Sequence, residues 1–191
     1  MPPKTKFDKN AIVEAAFEVA KEKGFSGITV RSVANRLKSS VAPIYVNFAA
    51  IDDLIEAVVQ RVFAISEELL AKQKGESKFE NIGKASLEFA REYPVLFREL
   101  SLQPNPYLAS YETIEKSMLD GMADDETMRD WTFEERRRLF LKMRIFQMGL
   151  SAMVANGHVP SWLNNQEFDH LLMEVGDDVL LAQQIKRKEN L

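Results

Sequence analysis

The chain has 191 residues, 46% of them hydrophobic, with 25 Lys and Arg against 29 Asp and Glu for a net charge of −4, so it can bury a core as one or two domains. It has no cysteine, which excludes disulfide frameworks, thiol catalysis and Cys-based zinc sites, and no stretch approaches the ~18 consecutive apolar residues of a membrane span, so a cytoplasmic protein is expected. The charge is uneven: residues 1–51 carry eight basic side chains against four acidic ones, +4, which leaves −8 for residues 52–191, as expected of a small basic head on an acidic body.

Asp8 or Asn10 can cap a first helix that runs to Lys23 and stops at Gly24, with Ile12, Ala16, Val19 and Ala20 forming its apolar stripe. The connection Phe25 to Ile28 turns at Gly27. From Thr29 to Phe48, TVRSVANRLKSSVAPIYVNF, two short helices joined by a tight turn are predicted. Thr29 is an N-cap ahead of Val30, Val33, Ala34 and Leu37, Lys38 and Ser39 interrupt, and Ser40 offers a second N-cap ahead of Val41, Ala42 and Pro43. Helices this short cannot stand alone, so Val33, Ala34, Leu37, Ile44 and Phe48 must pack on the first.

Thr29, Val33-Ala34, Leu37, Ser40, Ile44-Tyr45 and Phe48, preceded by Ala15-Ala16, Gly24 and Phe25, resemble the N-terminal domain of tetracycline-repressor-like (TetR) transcriptional regulators over about Lys9 to Leu54. The resemblance implies an all-α fold: a three-helix helix-turn-helix DNA-binding domain, 1–51, followed by a helical regulatory and dimerisation domain, 52–191. In such a motif the second helix enters the major groove. By resemblance Ser40, Val41, Ala42 and Pro43 face the groove and Thr29 and Tyr45 hold the DNA backbone. Arg31 and Lys38 are expected on phosphates, with Lys4, Lys6 and Lys9 as a basic arm. Val41, Ala42 and Pro43 offer no donor, so their direct readout is apolar contact, for instance with thymine methyls, and Asn47 could pair with an adenine edge if it points into the groove. Where relatives commonly have a glycine in the turn and a lysine after the final phenylalanine, this chain has Lys38 and Ile51.

A long helix follows to about Gln73 with Asp52 and Asp53 in its first turn, where they suit the dipole. It belongs to both halves of the molecule, a lever between them. KGES, 74–77, is a polar break. The next helix runs from Lys78 or Phe79 to Tyr93, with Phe79, Ile82, Ser86, Phe89 and Tyr93 on one face, and Pro94 ends or kinks it. Pro94 to Leu102 reads as a short apolar helix and Gln103 to Pro106 as a loop. Another helix is predicted from about Tyr107 to Met122, carrying Met118 and Met122, then a loop or frayed end from Ala123 to Asp130.

Two helices close the chain. Thr132 and Glu135 form a capping-box pattern for Phe133 to Asn156, which ends at Gly157, and the last helix runs from Asn165 or Gln166 to about Lys188. Leu139, Met143, Phe146, Leu150 and Met153 form one stripe of the former and Leu141, Ile145, Met148 and Ala152 a second. Two stripes need two partners, so a homodimer through 133–156 and 166–188 is expected, as the resemblance implies. By resemblance a small-molecule effector binds among Phe89, Phe97, Met118, Met122 and Phe146, residues whose plain reading is core. Arg144 and Gln147 are polar in an apolar helix, and they face a cavity, form an interface ion pair or lie exposed at the interface edge. His158 and His170 have no acidic partners arranged as a metal site, and no cofactor is implied. With no phosphate loop or nucleophile elbow, an enzyme is not expected. The reading from sequence is a ligand-responsive DNA-binding regulator, most simply a repressor. The alternative is a helical interaction module that keeps the head but answers to a protein partner.

Overall fold

Asp8 starts the first helix: its carboxylate accepts the amide proton of Ala11 at 2.8 Å, one of the donors a helix start leaves open. The helix, α1 (Lys9–Lys23), buries Ile12, Ala15, Ala16, Phe17, Val19 and Ala20 on one side. The computed structural model describes residues 7–75, 78–107 and 111–189, and the regular elements among them are all helical. Lys4 and Lys6 of the expected basic arm lie outside the described residues.

The chain forms two units, one of 1–71 with 92–107 and one of 72–91 with 108–191. In the first, a single 3₁₀ turn at Phe25–Gly27 leads to α2 (Val30–Arg36), α3 (Ala42–Asn47) and the long α4 (Ile51–Lys72), whose last residue begins the second unit. Val33, Ala34, Ile44 and Phe48 are buried as predicted, and Leu37 is half-buried. Arg61 of α4 reaches Glu14 of α1 at 2.7 Å and Glu68 of its own helix at 3.0 Å, stapling α4 to α1. The predicted helix from Pro94 to Leu102 divides into α6 (Pro94–Phe97) and a π-helical turn, Arg98–Leu102. This segment packs on α1, with Phe17 and Tyr93 in ring contact.

The second unit holds α5 (Lys78–Glu92, whose last residue falls in the first unit), α7 (Tyr111–Ala123), α8 (Phe133–Ala155) and α9 (Asn165–Glu189). Tyr107, predicted to start a helix, instead lies in the loop before α7. Its ring meets Phe25 and its amide donates to Asn105 Oδ1 at 3.1 Å, contacts that hold it in the first unit. Residues 108–110 lie outside the described set.

The expected capping box of α8 is present, and the helix ends in a Schellman turn: Gly157 sits at φ 68 and His158 donates to Met153 at 2.8 Å. Asn164 and Glu167 form a similar reciprocal cap for α9. Two apolar clusters fill this unit. One gathers Leu119, Met122, Trp131, Leu139 and Phe140, the other Leu87, Leu150, Phe168 and Leu172. The bidentate pair of Arg91 with Asp169 ties α5 to α9.

Candidate nucleic-acid interface

The interface is built from α2, the turn after it and α3. Thr29 caps α2 as predicted: its hydroxyl oxygen accepts from the Ser32 amide at 3.0 Å while the Thr29 amide donates to Ser32 Oγ at 2.9 Å. Ser32 Oγ also donates to Gly27 O at 2.8 Å, so one serine locks both the cap and the preceding turn.

The turn is a second Schellman motif. Lys38 donates to Asn35 O and Ser39 to Ala34 O at 3.0 Å. Lys38, in the place where glycine is usual, adopts φ 50, a left-handed conformation that costs an L-residue roughly 1–2 kcal/mol. The turn therefore keeps its geometry without glycine and gains a cation.

The expected cap at Ser40 is not formed. Val41 occupies the N-cap position, already in helical backbone geometry (φ −73, ψ −16) and with no side-chain cap, whereas a capping serine needs an extended backbone at that position. Ser40 is left exposed, and Pro43 lies in the first turn.

Helix α3 is anchored by Ile44 and Phe48, and its other side is open. Tyr45 is 64% and Val46 71% exposed, Val41 and Ala42 are also exposed, and Pro43 is half-buried. Asn47 is half-buried, with its Nδ2 donating to Pro43 O at 2.8 Å. Lys9 stands over the Phe48 ring, 5.1 Å from its centre. Arg31 and Lys38 are exposed, and neither makes an ion pair among the described residues.

One feature of the head has no local signal in the sequence. Arg36 pairs with Glu22 of α1 at 2.5 Å, and this hydrogen bond holds the Glu22 carboxyl below its usual range. The pair joins residues fourteen positions apart, so no helical spacing announces it. Val46, four residues after Ala42, lies on the same helix face.

The residues expected near an effector are divided. Phe97 is buried in the first unit. In the second, Met122 is buried in one apolar cluster with Met118 against it, and Phe146 packs on the other. Phe89 is buried and Arg144 half-buried. Gln147 donates to Ser86 Oγ and, at 3.0 Å, to the buried Ser151 Oγ, a polar network linking α5 and α8 inside an apolar surround. An open cleft of about 850 Å³, which includes Trp162, Leu163 and His170, contains none of these seven residues. Among the described residues no cluster of His, Asp and Glu could hold a metal ion, and no helix is long and apolar enough to cross a membrane.

A capped short helix, a tight turn and a second helix with one buried and one open face define a helix-turn-helix DNA-binding protein. Residues 12–58 match the family model described as bacterial regulatory proteins, tetR family. The fold agrees with solved structures. The transcriptional regulator SCO7222, a TetR from Streptomyces coelicolor, is 15% identical with a TM-score of 0.61, over 93% of this chain and 97% of that one. A TetR-like transcriptional regulator from Rhodococcus sp. RHA1 is 19% identical with a TM-score of 0.63, over 88% and 92%. TetR from Acinetobacter baumannii AYE is 17% identical with a TM-score of 0.53, over 95% and 99%. None of the curated proteins matches the chain in sequence. Residues 12–58 thus carry the DNA-binding domain of the tetR family of bacterial regulatory proteins, and the chain as a whole shares the fold of TetR transcriptional regulators.

Proposed function

We propose that the protein is a ligand-responsive repressor that acts in the cytoplasm as a homodimer, with 1–51 as the DNA-binding head and 52–191 as the regulatory part. One observation carries the dimer: Leu141 and Ile145 on α8, and Leu181 and Ile185 on α9, are all exposed, Ile145 by 65%. Leu141 and Ile145 belong to the second stripe of α8; the first stripe fills the core of the unit, while these two residues of the second lie open and Met148 and Ala152 are half-buried. Two-fold pairing of 133–156 and 166–188 with a second copy covers these residues and presents two heads to successive major grooves.

In the head, Thr29 and Tyr45 hold the DNA backbone, Arg31 and Lys38 neutralise phosphates, and Ser40, Val41, Ala42, Pro43 and Asn47 face the groove. The effector site takes Phe89, Met118, Met122, Arg144, Phe146 and Gln147 of the second unit. There the network of Gln147 with Ser86 and Ser151 supplies the few polar contacts that orient a mostly apolar ligand. Phe97, by its place in the first unit, is assigned to core. An effector that prefers the conformation in which the heads are wrongly spaced weakens DNA binding by the ratio of its affinities for the two states, and α4 carries the change along the chain.

The test has two parts. Light scattering at micromolar concentration is expected to give a dimer, and a monomer rejects the pairing. Fractionated small-molecule extract is expected to release the protein from selected DNA. If only protein fractions do so, control belongs to a protein partner.

A further inference from the structure

The open face of α3 has a narrow chemistry. Reading guanine in the major groove takes Arg or Lys, adenine takes Asn or Gln, and cytosine takes an acidic acceptor. Between Ser40 and Ala50 there is no Arg, Lys, Gln, His, Asp or Glu. Asn47 is the one amide; it is half-buried, and one of its two amide hydrogens is held by Pro43 O within its own helix. What projects instead is the row of Ala42 and Val46, four residues apart on one face, beside Val41 and Tyr45. Val46 is the most exposed of the large apolar side chains on this helix. An isolated exposed valine is ordinary, but here it stands on the helix that the fold offers to DNA, with a small neighbour that lets a base edge approach. The one apolar feature of the major groove is the C5 methyl of thymine.

We propose that α3 selects its operator through thymine methyl groups, with Val46 seated against them and Ala42 leaving the space. The inference rests on the DNA-binding role of the head and names what that head reads. Val46 is the specificity residue, and the hydroxyls and cations around it set position without choosing sequence. A base pair is then accepted for its methyl and not for its hydrogen-bond pattern. 5-Methylcytosine at a contacted thymine position should therefore be tolerated better than cytosine.

The experiment selects duplexes from a random pool with the full-length chain, then replaces the thymines of a selected duplex one at a time by deoxyuridine. Loss of a seated methyl is expected to weaken binding about fourfold, and about fifteenfold when both half-sites are changed. Val46→Ala is expected to bind the parent duplex more weakly and to lose the deoxyuridine penalty. Its exposed position leaves the fold intact, checked by circular dichroism and melting. Equal affinity for every deoxyuridine duplex, or a full penalty retained in Val46→Ala, overturns the proposal while leaving the head a DNA binder. Failure to enrich any duplex removes the DNA-binding role and this inference together.

Discussion

The carboxylate of Glu99 accepts the amide proton of Phe25 at 2.7 Å, joining the π-helical turn after α6 to the connection between α1 and α2. Gly24 makes room for it: at φ 75 and ψ 179 its backbone is essentially reserved to glycine, and a Cβ there would lie 1.9 Å from Glu99 Oε1. Glu99→Ala strands a partly buried amide and is expected to cost about 1–3 kcal/mol, read as a lower urea midpoint with an unchanged slope. Glu99→Gln keeps an acceptor and should cost less. Gly24→Ala meets both the backbone strain and the carboxylate, and should cost at least as much as Glu99→Ala.

Lys38 should trade stability for binding. Lys38→Gly relieves a left-handed backbone and is expected to raise stability by about 1 kcal/mol in denaturant melts. The same change removes a cation from the head, so DNA affinity should fall at low salt and the slope of log K against log salt should shrink by about one per head. A stabilised variant with unaltered salt dependence would place Lys38 away from phosphate.

How much of this is legible in the sequence depends on how far apart the partners lie. The caps at Thr29 and at Thr132 with Glu135 were readable because both members fall within one turn. The turn after α2 was readable as a break, and Lys38 stood out as a residue where glycine is usual. Ser40 misled because a hydroxyl before an apolar run resembles a cap, whereas the backbone at Val41 already follows helical geometry. Glu99 with Phe25, Arg36 with Glu22 and Gln147 with Ser86 are set by tertiary packing between distant positions, which no local pattern encodes. The open direction of Val46 follows from Ile44 and Phe48 being the buried anchors of α3, and it emerges once those two are in the core.

Acid should act on the start of α8. Hydrogen bonds from Thr132, its backbone amide foremost, hold the Glu135 carboxyl below its ordinary range, and Arg187 at 2.8 Å adds to the effect against desolvation. Because the folded value is depressed, the stabilisation is complete above the ordinary glutamate value of about 4.3 and is lost as pH falls through the folded value. Between about pH 6 and about pH 3.5 the wild type should therefore lose more stability than Glu135→Gln, which retains a cap but does not titrate. Melting both across that range is the check, and equal losses would assign the acid sensitivity to other groups.

Tyr45→Ala should weaken binding to all operator variants alike, since a contact to the DNA backbone carries no sequence information. Competition among duplexes that differ at single base pairs measures this directly. A changed base preference with unchanged overall affinity would move Tyr45 into the groove.

The most direct test of the head as a groove reader is equilibrium titration of the full-length chain against a random duplex pool and against a duplex selected from it, at several salt concentrations. Binding to both at low salt, a linear fall of log K with log salt and a widening preference for the selected duplex are expected. A chain indifferent to duplex DNA even at low ionic strength would contradict the assignment.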